Sequence, residues 1–192
     1  MRETLRAIVC PNLYTERLLL RPFEMGDAMA MFGWACDPEV TRYLRFHVHE
    51  DISESKRVIS HWIDQMKNPP FFHWALTLRE TGQVFGSMGI EVINKTDRSG
   101  EVGYCLSKHM WNKGYASEAL RAVLHFAFNT AAFHRIQGCH AIDNPASGKV
   151  MEKAGMVREA GPLRHWYYSD ILGYLDSNML VAFSDTWQDS GR

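Results

Sequence analysis

Between residues 52 and 68, apolar side chains recur at Val58, Ile59, Trp62, Ile63 and Met66. Spacings of three and four put them on one face of a helix, and Pro69 and Pro70 predict its end. The period then shortens. "FFHWALTLRETGQVFGSMGIEVI" predicts two strands joined by a turn around Thr81-Gly82. After the polar loop "NKTDRSG", the run "EVGYCLS" predicts a third strand. Helical spacing returns over residues 115–129, where Ala116, Ala119, Leu120, Val123, Leu124, Ala127 and Phe128 form one stripe. "HRIQGCHAI" predicts another strand, and "NPASGKVMEKAGM" a short helix closed by Gly155. Further strands, rich in Trp and Tyr, are expected from residue 157 to about 183.

Upstream, residues 14–23, "YTERLLLRPF", predict an opening strand. Two short helices follow, the first started by Asp27 and the second by Asp37 with Pro38 at its first helical position. No repeat, linker or low-complexity segment interrupts this order, so residues 1–192 are expected to form one mixed α/β domain. Its second half alternates strand and helix.

Composition narrows the classes. The chain has 192 residues, 46% hydrophobic and 22% charged, which suits one globular domain with a sizeable core. A formal charge of -1 supplies no concentrated basic field, so no nucleic-acid partner is expected, although a local basic groove stays open. The first residues lack a signal-peptide pattern, and no apolar run approaches the roughly 20 residues that span a bilayer. A soluble cytoplasmic protein without a membrane partner is the expectation. Cys10, Cys36, Cys105 and Cys139 form no C-x-x-C pair. Cys105 and Cys139 lie in apolar strand-like runs and are expected to be reduced, buried small hydrophobes.

The stretch "MWNKGYASEAL" joins strand to helix through Lys113, Gly114, Tyr115 and Ala116. The first amides of a helix have no intrahelical partner, and the helix dipole favours an anion there. Gly114 and the small Ala116 let such a ligand approach the backbone, and Lys113 adds a mobile charge. Neither G-x-x-x-x-G-K-[ST] nor G-x-G-x-x-G occurs. On these residues alone, a tight connection that binds nothing is as good a reading as an anion site.

The ordered series "GEVGYCLS", "WNKGYA" with its helix, "HRIQGCHAI" and "DNPASGKVMEKAGM" resembles the GNAT superfamily of acyl-CoA-dependent N-acetyltransferases. "TERLLLRPF" and "DPEVTRYL" make the chain similar to the Rim-type ribosomal-protein N-terminal acetyltransferases, over about residues 14–185. The resemblance implies a mixed, mostly antiparallel central sheet with a splayed strand pair and helices on both faces. It implies acetyl-CoA as cosubstrate, a primary amine as acceptor, no metal, and a monomer or homodimer. In the family's [Q/R]-x-x-G-x-[G/A] loop, Gly114 and Ala116 fill the last fixed positions while Trp111 replaces Gln or Arg. Diphosphate contacts are then expected from the backbone amides of Asn112, Lys113, Gly114, Tyr115, Ala116 and Ser117. The pantetheine arm is expected along Cys105, Leu106 and Ser107, with a backbone N–H near Leu106 facing the oxyanion.

The resemblance also assigns chemistry. Glu101 is implied as a base working through water; read from spacing alone, it is a solvated strand-end carboxylate. Asn144, followed by Pro145, is an N-cap by its own chemistry, and the resemblance adds a pantetheine contact. Ser147 is the candidate acid or water holder near the sulfur, and also an ordinary first-turn serine. Seven residues beyond Asn144, where many relatives carry a tyrosine acid, stands Met151. Trp34, Tyr43, Trp166, Tyr167 and Tyr174 are aromatic candidates for the acceptor pocket, with core packing as the alternative for each. The cluster "HVHED" (His47, His49, Glu50, Asp51) invites a metal reading but lacks a matched ligand set, so loop residues beside the acceptor entrance are the expectation. The expected activity is N-acetyl transfer to a protein N-terminal or small-molecule amine. The alternatives are an acyl-CoA-binding sensor that does not catalyse, and a phosphate-binding domain unrelated to coenzyme A.

Overall fold

A computed structural model describes residues 4–188; the end residues 1–3 and 189–192 of the expected domain lie outside the described residues. The strands are β1 (Leu13–Tyr14), β2 (Leu18–Pro22), β3 (Phe72–Leu78), β4 (Val84–Asn94), β5 (Ser99–Leu106), β6 (Arg135–Ala141), β7 (Val157–Ser169) and β8 (Gly173–Phe183). The helices are α1 (Ala28–Ala35), α2 (Pro38–Thr41), α3 (Ile52–Met66), α4 (Tyr115–Asn129) and α5 (Pro145–Lys153). The strands form one sheet in the order β1-β2-β3-β4-β5-β6-β8-β7. Every neighbouring pair is antiparallel except β5 and β6.

Alternation along the strands gives the sheet two apolar faces. On one, Phe72, Trp74, Val102 and Ile136 meet Leu120, Leu124 and Met151 from α4 and α5. On the other, Ala75 and Cys105 meet Trp34 and Ile59 from α1 and α3. The α4 stripe buries Phe126 as well, which packs edge-on against Phe72 at 5.1 Å and Trp74 at 5.5 Å. Phe128, at the stripe's margin, instead leans on Trp187 at 5.6 Å.

Two local expectations change. The opening strand folds back on itself, because Thr15 closes a turn. Its Oγ1 accepts from the Leu18 N–H at 2.9 Å while its own N–H donates to the Leu18 carbonyl at 3.0 Å. Such side-chain bonding competes with an extended ladder, and β1 pairs with β2 as a short hairpin. Asp27 does precede α1, but its side chain makes no cap bond to that helix. It forks onto Arg21 instead, at 2.7 and 2.8 Å, and accepts the Glu24 N–H at 2.9 Å. Asp37 and Asp51 act as caps, accepting from Glu39 and Ser53.

The β5–β6 ladder holds only Ser99↔Arg135, Gly100↔Ile136 and Glu101↔Gln137. Beyond it the two strands part, while β5 stays on β4 as far as Leu106 and β6 stays on β8 as far as Ala141. Gly138 stands just past the vertex. A Cβ there would lie 2.7 Å from Met151 Sδ and 3.2 Å from Val102 Cγ1, so a side chain would push apart what closes over the junction.

Removing the Asp27 carboxylate would strand a largely buried guanidinium. Asp27→Ala is expected to lower unfolding free energy by about 2–3 kcal/mol in urea titration. A loss below about 0.5 kcal/mol would show that Arg21 re-solvates without penalty.

Candidate functional site

Where two strands separate, their facing backbone groups lose the ladder that would satisfy them. Ser107 N–H donates to the Phe85 carbonyl at 2.8 Å, on the β4 side. By alternation Gly103 and Cys105 also turn their backbone toward β4, and Val102, Tyr104 and Leu106 turn theirs into the gap. Of the three residues expected along the pantetheine arm, the ladder thus leaves Leu106 to face the gap. The Leu106 carbonyl already accepts from Trp111 Nε1 at 2.9 Å. Trp111 therefore ties the following loop to the end of β5.

That loop reaches α4 through two left-handed residues, Asn112 at φ 59° and Gly114 at φ 81°. Glu118 N–H makes the helix's first bond, to the Gly114 carbonyl at 3.1 Å, so the amides of Tyr115, Ala116 and Ser117 precede it. The loop is braced from behind by residues the sequence pattern did not single out. Glu118 accepts from the Thr15 hydroxyl at 2.6 Å, the Arg17 N–H at 2.9 Å and Arg17 Nε at 2.7 Å. Arg17 Nη1 donates to the Lys113 carbonyl at 3.1 Å, and its guanidinium lies 4.5 Å above the Tyr115 ring. Burial works to raise the Glu118 pKa, but these hydrogen bonds outweigh it and hold the carboxyl below its ordinary value. The Lys113 side chain is exposed.

On the other wall of the gap, Asn144 Oδ1 caps α5 by accepting from Ser147 N–H at 3.4 Å, with Pro145 in the first turn. Ser147 Oγ lies 2.9 Å from Tyr104 Oη, and the Tyr104 hydroxyl is 2.8 Å from the Ser147 carbonyl. Burial pushes the Tyr104 phenol up, against a smaller opposing effect from Ser147, so it keeps its proton at neutral pH. Tyr104 escaped the sequence reading, although alternation with Val102 and Leu106 places it on the α5 side. Met151 is buried beneath Gly138 and presents no polar group.

A cavity of about 770 Å³ runs from this cradle past Ser147 to Glu101 and Arg45. Glu101 stands on the last rung of the broken ladder, with its side chain 26% exposed. Its Oε2 accepts from Gln137 Nε2 at 3.1 Å, and its Oε1 lies 3.5 Å from both Arg45 Nη2 and Cys139 Sγ. Gly103 and Cys105 follow it on that face, and a Cβ on Gly103 would meet nothing within 4 Å. The carboxylate thus overlooks open space.

Cys139 corrects an expectation. It is half-buried at the cavity wall rather than in the core, and its sulfur accepts from Trp166 Nε1 at 3.1 Å. Burial, then the Glu101 charge, push its thiol to about 11, so it is protonated and poorly nucleophilic at neutral pH. Cys105 is buried as expected, and burial pushes it to about 12. Of the aromatic candidates, Tyr43 and Tyr167 line the cavity, the Tyr167 hydroxyl donating to the Tyr43 carbonyl at 2.9 Å. Trp34 is core at 2% exposure, and Tyr174 packs on Tyr168 at 5.2 Å, away from the cavity lining.

The histidine cluster lies outside the cavity lining, and its side chains bond separate partners. His47 Nε2 meets Glu54 at 2.9 Å, the buried His49 Nδ1 meets Ser55 Oγ at 2.8 Å, and Asp51 caps α3. Among the described residues, no group of three or more His, Cys, Asp or Glu side chains is arranged to hold a metal. Nor is any helix among them long and apolar enough to cross a membrane.

Comparison with known proteins places this geometry. A family model described as an acetyltransferase (GNAT) domain matches residues 17–157. A Bacillus licheniformis protein described as an uncharacterized N-acetyltransferase, p20, is 31% identical over 77% of this chain and 86% of its own. Another from Bacillus subtilis, YoaA, is 30% identical over 88% of this chain and 94% of its own. Among solved structures, a GNAT-family acetyltransferase from Bacillus anthracis superposes with a TM-score of 0.79 at 24% identity, over 91% of this chain and 99% of that one. The ribosomal-protein-S5-alanine acetyltransferase of Vibrio fischeri does so at 0.80 and 18% identity, over 93% and 99%. At such identities these structures establish the fold.

Because Gly114 needs a conformation closed to β-branched residues, Gly114→Val should raise the Kd for acetyl-CoA about tenfold or more in calorimetric titration. Lys113→Ala should change it less than about threefold. Equal effects would mean that the lysine's charge, rather than the backbone cradle, holds the ligand.

Proposed function

This chain belongs to the GNAT acetyltransferase family, and on that premise we propose that it moves the acetyl group of acetyl-CoA directly to a primary amine held beside Glu101. The observation that carries the reading is the interrupted β5–β6 ladder, which has an amide cradle at one end and a carboxylate at the other. The amides of residues 112–117 would take the diphosphate, as helix starts take anions generally. The Leu106 carbonyl, which keeps a lone pair beside its bond from Trp111 Nε1, and the Asn144 amide would hold the pantetheine arm, leaving the Leu106 N–H for the thioester.

Acetyl-CoA brings a thioester, an acyl group already activated toward amines. The chain supplies position and proton management. Glu101 takes a proton from the acceptor ammonium, directly or through one water, and leaves a nucleophilic amine. The Leu106 N–H faces the carbonyl oxygen as it gains charge. As the N–C bond forms and the C–S bond breaks, the nitrogen gives up its second proton to water in the cavity, and Ser147, its hydroxyl held 2.9 Å from Tyr104 Oη, relays a proton from that water to sulfur. An acyl-enzyme route through Cys139 is disfavoured by a thiol pKa near 11.

One observation favours a second reading. The position where many relatives keep a tyrosine acid is Met151, which is buried, as suits a domain that binds acyl-CoA without transferring it. Thiol release from acetyl-CoA across a panel of amines and peptides separates the two. Turnover is expected on at least one acceptor. Glu101→Gln should lower kcat/KM by about 10²-fold or more, most severely at low pH where the acceptor is protonated. Binding without turnover on any acceptor would favour the sensor, and an unchanged pH–rate profile would remove Glu101 as base.

A further inference from the structure

The acceptor end of the cavity carries a cation that proton transfer does not require. Arg45 Nη2 lies 3.5 Å from Glu101 Oε1, and its guanidinium sits 4.9 Å over the Tyr167 ring. Charge-assisted hydrogen bonds are about 2.7–2.9 Å long, so this pair is loose and most of the guanidinium's donors stay uncommitted. The side chain is 58% exposed. Among the described residues, Glu101 is the one carboxylate within ion-pair reach of it, and Glu39, also on the cavity wall, pairs with Lys108. Arg42 adds a second cation on the same rim, held 5.7 Å from the Tyr43 ring.

An acceptor must bring its ammonium to Glu101, beside Arg45. A plain amine or polyamine would place like charges together there. A molecule with a carboxylate one carbon from its amine puts each charge opposite its complement, the ammonium on Glu101 and the carboxylate on Arg45. In such a zwitterion the two groups are about 3 Å apart, close to the 3.5 Å separating the two side chains. The adjoining wall is Tyr43 and Tyr167, suited to an apolar or aromatic side chain. We propose that the acceptor is a free α-amino acid with an apolar or aromatic side chain, its carboxylate held by Arg45 while its amine meets Glu101. This rests on the acetyl-transfer reading above. A peptide N-terminus offers Arg45 a neutral carbonyl, and a polyamine offers it nothing.

The test uses matched triplets. Alanine, leucine, phenylalanine and tryptophan are each supplied as free acid, α-amide and decarboxylated amine, with thiol release giving kcat/KM for the wild type and for Arg45→Gln. The acid-to-amide ratio of wild type divided by that of the variant cancels the amines' different basicities. In the best triplet it should reach about tenfold or more, carried mainly by KM for the acid. Retained acetyl-CoA affinity in Arg45→Gln shows that the variant is folded. A ratio within about twofold of unity overturns the proposal. So does turnover confined to amides, amines or peptides, and either result leaves acetyl transfer standing. Acetyl-CoA binding with no turnover on these or any other amine would instead bring down the acetyl-transfer reading and this inference with it.

Discussion

The structure depends on an unfinished ladder. Three rungs join β5 to β6, and then each strand keeps its outer neighbour while losing its inner one. Buried backbone groups without partners are expensive, so such a gap persists only if water or a ligand completes it. The gap opens between α4 and α5, and the loop before α4 and the start of α5 both give onto it. A long, flexible, amide-bearing molecule suits that shape better than a compact one. The fold and the proposed cosubstrate therefore follow from one departure from regular pairing.

Neither wall is left to chance. At the vertex, Gly138 lets Met151 and Val102 close over the junction. At the cradle, the buried face of Glu118 binds Thr15 and Arg17, which fastens the start of β2 beneath the α4 turn. At the far end, Gln137 holds Glu101 across the final rung. The chain thus fixes one end of the cavity with side chains from the β1–β2 turn and α4, and the other with side chains from β5 and β6. Rigid support of this kind is what places a reacting group within reach of a bound acyl chain.

Much of this was legible in the residues, and the failures have local causes. The α3 and α4 faces follow from spacing, and the Asp37 and Asn144 caps from a polar residue before proline. The Gly114 turn stood out because a strand run met a helical stripe there. The opening hairpin was hidden, since Thr15 closes its turn with a hydroxyl that a propensity scan counts as strand-compatible. Asp27 looked like a cap, but Arg21, six residues upstream, takes its carboxylate instead, a competition between two local roles that spacing does not decide. Cys139 read as core because its run is apolar, but on a strand that borders a gap one face lines a cavity. Tyr104, Arg45, Gln137 and the Thr15–Arg17–Glu118 brace meet their partners only in three dimensions. No spacing rule within one segment would have assembled them.

On this reading bound acetyl-CoA completes the open edge of β5. Residue-resolved amide hydrogen exchange, with and without saturating acetyl-CoA, tests it most directly. Ser107 N–H is already bonded to Phe85 and should exchange slowly in both states. Leu106 N–H and the amides of Tyr115, Ala116 and Ser117 should slow by about tenfold or more on binding, together and ahead of distant loops. Binding that leaves Leu106 exchange unchanged would contradict the account, because acetyl-CoA would then occupy some place other than the gap.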